Sequence, residues 1–361
     1  MQLHPIAHID LAALQHNLAC VKQVAPDSRI MSVVKANAYG HGLVDVARAL
    51  SASDAFTVAR LSEGLLLREA GIEHAIVVLE GVNTVSDLQL AAENDISLVF
   101  TTLLQIELVL STTLSKALLF CWVMAETGMH RLGIPAEKLD QAIQSLKRAE
   151  NIADSIGLMS HFANADLLRD ERNQHQLDQI MQCAKQHRLS VSMANSAAIL
   201  SFPESHADWI RPGIMLYGSS PFKMQSASSL NLKPVMKLTS TLIAIQNLKT
   251  GDEVGYGGDW VAEHDTRVGI VNIGYGDGYS RQLSNTGSVK IHNKIAAVLG
   301  RVSMDMIAID LSHILHAKEG DDVVLWGCEQ LPIEDVANKA NTISYELLCQ
   351  ISERVRREYH G

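Results

Sequence analysis

The sequence predicts an α/β protein with an N-terminal (β/α)8 TIM barrel and a C-terminal, mainly-β domain. Three observations lead there. Short apolar runs alternate with helix-period segments over the first 215 residues, and there are eight such runs. Beyond a serine-rich stretch the helical period gives way to β-branched runs separated by glycine turns. With 361 residues, 47% of them hydrophobic, the chain can build two domains around a large core.

The eight runs are residues 30–34, 55–59, 75–79, 96–100, 117–124, 156–159, 190–193 and 207–210. Their length and β-branched content suit strands buried on both faces. The last is the weakest, being short and bearing Asp208. Between them lie amphipathic stretches such as 137–149 and 172–187, spaced as helices. An open doubly wound sheet is the rival arrangement. It normally carries a glycine-rich fingerprint after its first strand, and residues 35–42 lack that GxGxxG spacing. Residues 218–234 are rich in serine, hold Pro221 and Pro234, and read as a linker. The division then falls at 1–230 and 231–361. The second part offers strands at 237–245, 267–273, 289–298, 306–311 and 322–326, then a helix over 344–358.

Composition excludes several function classes. The net charge is −10 and no basic run interleaves with aromatics, which argues against a nucleic-acid partner. The longest apolar runs, such as 117–125, are too short to span a bilayer. Residues 1–5 lack the charged and apolar regions of a signal peptide. Five scattered cysteines, with no CxxC pair, fit free buried thiols in a reducing cytoplasm. The 15 histidines include no HxxxH pair beside a carboxylate, so no metal site is expected.

In such a barrel the chemistry sits at the C-terminal strand ends. The first run delivers Lys35, partly desolvated, with a lowered pKa that frees its amine to attack carbonyls. The fifth leads to Glu126 and Arg131, the sixth to His161, the seventh to Asn195 and Ser196, and the eighth to Arg211, Gly213 and Ile214. Each alone has an ordinary explanation. Lys35 suits a strand end, Asn195-Ser196 a helix cap, the arginines surface ion pairs and His161 a satisfied core. Together they bring an amine, a phosphate cradle and two arginines to one barrel mouth. Ser196 has a hydroxyl to donate, and Gly213 lets its backbone N–H approach an anion. That set suggests pyridoxal phosphate held as a Schiff base, with an arginine facing the pyridine nitrogen. A Schiff-base aldolase of sugar phosphates needs similar parts, and spacing does not separate the two. The second domain sets Tyr256 and Tyr275 in glycine turns, where a phenol serves either as an ordinary turn residue or as an acid–base group.

The motifs that settle a family are His8-Ile9-Asp10-Leu11-Ala12-Ala13-Leu14, residues 33–42, 126–133 and 160–163, Ala194 to Ala197, and residues 211–218. The tyrosine turns, Ser303-Met304-Asp305 and residues 344–349 complete the set. In this order and over nearly the whole length, the chain resembles the alanine racemases. The resemblance implies pyridoxal 5'-phosphate on Lys35, which also acts as one acid–base. It implies a homodimer in which Tyr256 of the other subunit is the second. It assigns Tyr39, Ser196, Gly213, Ile214 and Tyr345 to the phosphate, with Asn195 beside them. Arg211 goes to the pyridine nitrogen, with His161 supporting it. Arg131 goes to the cofactor oxygen and substrate carboxylate, Met304 to that carboxylate, and Tyr275 to the entrance. The implied activity is interconversion of L- and D-alanine, supplying D-alanine for peptidoglycan. A racemase of broader range is the alternative. A barrel decarboxylase fits less well, since the Tyr256 and Met304 motifs suit racemases, and so does a cofactor-storage protein, since such single-barrel proteins lack the second domain that this chain keeps. One position departs. Relatives commonly carry a lysine, often carbamylated, where this chain has Met124. That removes a negative charge that orients the arginine, and Glu126 is the nearest substitute in sequence.

Overall fold

Eight parallel strands close into a barrel in chain order: Arg29–Val33, Ala55–Val58, Ala75–Val78, Ile96–Phe100, Leu118–Met124, Ile152–Met159, Val191–Asn195 and Trp209–Arg211. This computed structural model describes residues 4–361, the side chains of 153 and 154 excepted. Residues 1–3, part of the segment read for a leader, lie outside the described residues. Every run expected as a barrel strand is one, with shifted ends; the sixth begins earlier, at Ile152. The weak eighth run keeps only Trp209–Arg211, and Asp208 accepts hydrogen bonds from the Val191 N–H just outside it.

The strands sort their side chains by the period of two. Met31, Ala55, Val77, Val99, Trp122 and Met159 form a cluster of their own inside the barrel. Alternate residues such as Ile30, Phe56, Ile76, Leu98 and Leu158 belong to the main core, shared with the helices. Trp122 fills the centre because its neighbour is Gly157, where a Cβ would run into the indole ring. Five helices start at side-chain caps. Asp10, Thr84, Thr102, Asp170 and Asn195 each accept a backbone N–H of the first turn.

The second sheet has eight strands, in the order Thr266–Val271, Ile307–Asp310, Lys294–Leu299, Ser288–Ile291, Asp322–Trp326, Met236–Leu248, Ile6–Asp10 and Arg356–His360. Thr266–Val271 also pairs with Met236–Leu248, so the sheet folds back on itself. The first strand of the chain therefore lies in this sheet, ahead of the barrel in sequence.

Three expectations need correction. The run 289–298 is two strands joined by a turn in which His292 takes a φ of 53°. The helix expected over 344–358 stops as Ser344–Cys349, and Arg356–His360 is a strand. That strand pairs parallel with Ile6–Asp10 and covers an otherwise open edge. The segment 218–234 is packed, not free: Ser219 and Ser220 are buried and both bond to Glu334. Of the cysteines, Cys20 and Cys121 are buried, whereas Cys349 is exposed. Among the described residues no helix is long and apolar enough to cross a membrane.

Candidate active site

Lys35 lies just past the end of the strand Arg29–Val33 and begins a tight turn, Lys35–Tyr39. Ala36, Asn37, Ala38 and Tyr39 all hold positive φ, between 51° and 55°. A left-handed run costs about 1–2 kcal/mol per L-residue, so four in succession need outside support. Support comes from Glu63, whose carboxylate accepts the N–H of Ala36 at 2.7 Å and those of Ala59 and Arg60. Asn37 accepts the Leu43 N–H, and Tyr217 stacks on Tyr39 with ring centroids 4.6 Å apart. Gly40 and Gly42 continue the positive-φ turn. A Cβ on either would strike the Leu348 carbonyl or the Tyr359 hydroxyl.

This turn opens on a cavity of about 700 Å³ at the C-terminal mouth of the barrel. Lys35, Tyr39, Arg131, His161, Asn195, Ser196, Arg211, Gly213, Ile214 and Tyr345 all line it. Nine barrel positions expected at the site, and Tyr345 from the second domain, are thus brought together. Tyr256, Tyr275 and Met304 do not line it, and all three are exposed.

The polar groups of the mouth are organised. Ser196 is buried, and its hydroxyl oxygen accepts the N–H groups of Gly213 (2.9 Å) and Met215 (3.3 Å). Its proton is left to donate into the cavity. A Cβ at Gly213 would sit 2.7 Å from the Tyr39 hydroxyl, so only glycine lets that phenol approach. Asn195 uses its side-chain oxygen to cap the Ala198 N–H, the ordinary role its sequence position suggests. The buried Arg211 guanidinium is held by the Ser192 hydroxyl and the Ser160 carbonyl, both at 2.6 Å, and by His161. No carboxylate pairs with it among the described residues.

Electrostatics follow from this enclosure. Burial, then the Arg131 charge, push the Lys35 amine below its ordinary pKa. Burial also holds the Tyr39 and Tyr345 phenols protonated, well above the ordinary tyrosine range. Burial first, and then Arg211, Arg131 and Lys35, push His161 down to about 3.

Met124 also lines the cavity and packs against the apolar cluster inside the barrel. Glu126 does not stand in for the missing charge. Its carboxylate accepts the N–H groups of Gly128 and His130 in its own turn. Several contributors carried no sequence signal: Glu63, Tyr217, Ser160 and Ser192 act through residues far from them in the chain. Only the Asp/Glu-three-residues-on pattern of a capping box at Arg60–Glu63 was available to flag one.

A (β/α)8 barrel with a desolvated lysine at the end of its first strand, a hydroxyl–glycine anion cradle and a buried unpaired guanidinium defines a lysine-centred barrel enzyme. The domains match the family models for the alanine racemase N-terminal domain, over residues 9–221, and C-terminal domain, over residues 235–359. The chain is 44% identical to an alanine racemase of Aeromonas hydrophila over 354 residues, covering 98% of this chain and 99% of that one. It is 46% identical to an alanine racemase of Nitrosococcus oceani over 353 residues, with 98% of each covered. Among solved structures, the biosynthetic alanine racemase of Pseudomonas aeruginosa superposes with a TM-score of 0.95 at 39% identity over 100% of both chains. The alanine racemase of Bartonella henselae with covalently bound pyridoxal phosphate gives 0.89 at 29%, over 99% of this chain and 100% of that one. This chain belongs to the alanine racemase family, a family of isomerases, and the aldolase alternative falls away.

Proposed function

We propose that this chain interconverts L- and D-alanine, using pyridoxal 5'-phosphate at the barrel mouth and a second acid–base group from a partner copy. The observation that carries this reading is the convergence of the Lys35 amine, the Ser196 hydroxyl and the Arg211 guanidinium on one cavity. The residues fit the cofactor. Ser196 has a spare proton for a phosphate oxygen, Tyr39 and Tyr345 keep theirs, and Gly213 leaves room beside them. Ile214 follows at the start of the next turn, with Asn195 fixing the preceding helix. Bound there, the cofactor supplies an electron sink that makes an α-proton removable near neutral pH.

The rest is the work of the chain's own groups. Lys35 Nζ, with its lowered pKa, takes and returns a proton on one face of the α-carbon. Arg211, which lines the same cavity, would lie towards the ring nitrogen, where its charge would disfavour protonation. Arg131, at the cavity edge, is placed for the substrate carboxylate. Racemisation needs a second group on the opposite face. Tyr256, 71% exposed and outside its own chain's cavity, is available to a neighbour, as are Met304 and Tyr275. That disposition supports a homodimer with shared sites. Five cysteines without a disulfide support work in the cytoplasm, and the product D-alanine suits peptidoglycan assembly.

The test is an absorbance scan of purified protein, followed by racemisation assays over a panel of amino acids. A visible chromophore with alanine as the fastest substrate is expected. A chromophore with another amino acid faster would favour the broader-range reading, and no racemisation of any would overturn both.

A further inference from the structure

The first and last strands bring three metal-type ligands to one patch, away from the barrel mouth. Ile6–Asp10 and Arg356–His360 run parallel, with His8 opposite Glu358 and Asp10 opposite His360. Residues two apart share a strand face, so His8, Glu358 and His360 point the same way. Their ligand atoms all lie within 4.8 Å of one another. His8 Nδ1 is 3.2 Å from His360 Nε2 and 3.9 Å from Glu358 Oε2. Two nitrogens on a tetrahedral zinc ion, each about 2.0–2.1 Å from it, sit about 3.3 Å apart. The two rings already hold that spacing.

The surroundings suit ligation. His8 Nε2 lies 3.0 Å from the Thr239 hydroxyl. With Nδ1 on a metal, Nε2 carries the hydrogen and donates it there, which fixes tautomer and ring orientation. The facing charges are mixed. Glu358 and Asp322 favour a cation; Lys237, opposite His8, and Arg356, 3.3 Å from Glu358, oppose one.

We propose that His8, Glu358 and His360 bind a divalent cation of the zinc class, with water in the fourth position, clipping the last strand to the first. Two neutral imidazoles and one carboxylate are the donor set such ions take. The clip has a structural consequence. From the opposite face of the same edge strand, Arg357 donates to the Gly40 carbonyl at 2.6 Å and Tyr359 to the His41 carbonyl at 3.2 Å. The last strand thus braces the turn that carries Lys35, and the ion would fasten the brace.

The test titrates chelator-treated full-length holoenzyme with Zn2+ by calorimetry, and with Co2+ by visible absorbance. One ion per chain and a higher thermal midpoint are expected. His8→Gln and the more exposed His360→Ala should each weaken uptake by about tenfold or more, with circular dichroism confirming the fold. No uptake by the unaltered chain, or uptake that His360→Ala leaves unchanged, overturns the proposal.

Discussion

Arg211 Nη2 stands 3.2 Å from His161 Nδ1. His161 is kept neutral by burial and by the cations around it. The arginine therefore donates to Nδ1, and the imidazole hydrogen lies on Nε2. Arg211 itself is lowered only to about 10, by burial, and stays charged at neutral pH. The pair sets one fixed positive charge at the cavity wall, with no carboxylate paired to it among the described residues.

Replacing that fork by a point charge tests it. Arg211→Lys keeps the charge but cannot hold the Ser192 hydroxyl, the Ser160 carbonyl and His161 together. Racemisation should fall by roughly tenfold or more, read as kcat in a coupled D-alanine assay. An unchanged kcat would show that the fork geometry is dispensable.

Lys35→Ala should abolish both the visible absorbance of bound cofactor and racemisation, because no other amine lines the cavity among the described residues. Retention of either would reassign the amine's role.

The barrel was legible in sequence because each strand is a short apolar run set against helix-period segments, and both signals are local. So was the mouth, since Lys35, His161 and Ser196 follow strand ends and Arg211 is the last residue of one. What escaped was non-local. The last strand reads as the tail of the helix Ser344–Cys349 until its partner, Ile6–Asp10, is placed beside it. His8 and His360, 352 residues apart, offer no spacing pattern to find. The support of the Lys35 turn by Glu63 and Tyr217 likewise exists only after folding.

The proposed sharing of the site between subunits would have a sharp consequence. Lys35→Ala and Tyr256→Phe chains should each be impaired alone. Tyr256→Phe should slow α-proton exchange from L-alanine more than from D-alanine. Mixed and allowed to exchange, the two variants form heterodimers with one intact site and one lacking both groups. About a quarter of native activity should return, because half the dimers carry one good site of two. No recovery after proven subunit exchange would place both groups in one chain.

Acid should destabilise the Lys35 turn through His41. This ring is fully buried behind Tyr217, and its Nε2 has no partner among the described residues. Burial lowers its pKa from 6.5 to about 4. Between those values the unfolded chain binds the proton and the folded one does not. The contribution is therefore fully present above pH 6.5 and is lost as pH falls towards 4, by at most about 1.4 kcal/mol per unit. His41→Gln should flatten the fall in urea midpoint between about pH 7 and about pH 4.5. An equally steep fall in the variant would assign the acid sensitivity elsewhere.

The last prediction concerns Met124. Where a relative's lysine forms a carbamate, this chain offers a thioether packed against the barrel interior. Glu126 is tied to its own turn, and Arg131 has no ion-pair partner among the described residues. With no amine at 124, and with Lys35 taken up by the cofactor in the proposed holoenzyme, no free amine is left near Arg131 among the described residues for carbon dioxide to add to. The rate in carbon-dioxide-purged buffer should therefore equal the rate with added bicarbonate. Met124→Lys introduces an amine into an apolar wall, where burial favours its unprotonated, carbamate-forming state. In that variant alone the rate and the alanine KM should respond to bicarbonate, since a carbamate there would fix the Arg131 guanidinium. A bicarbonate response in the native chain would show that a different amine supplies the charge.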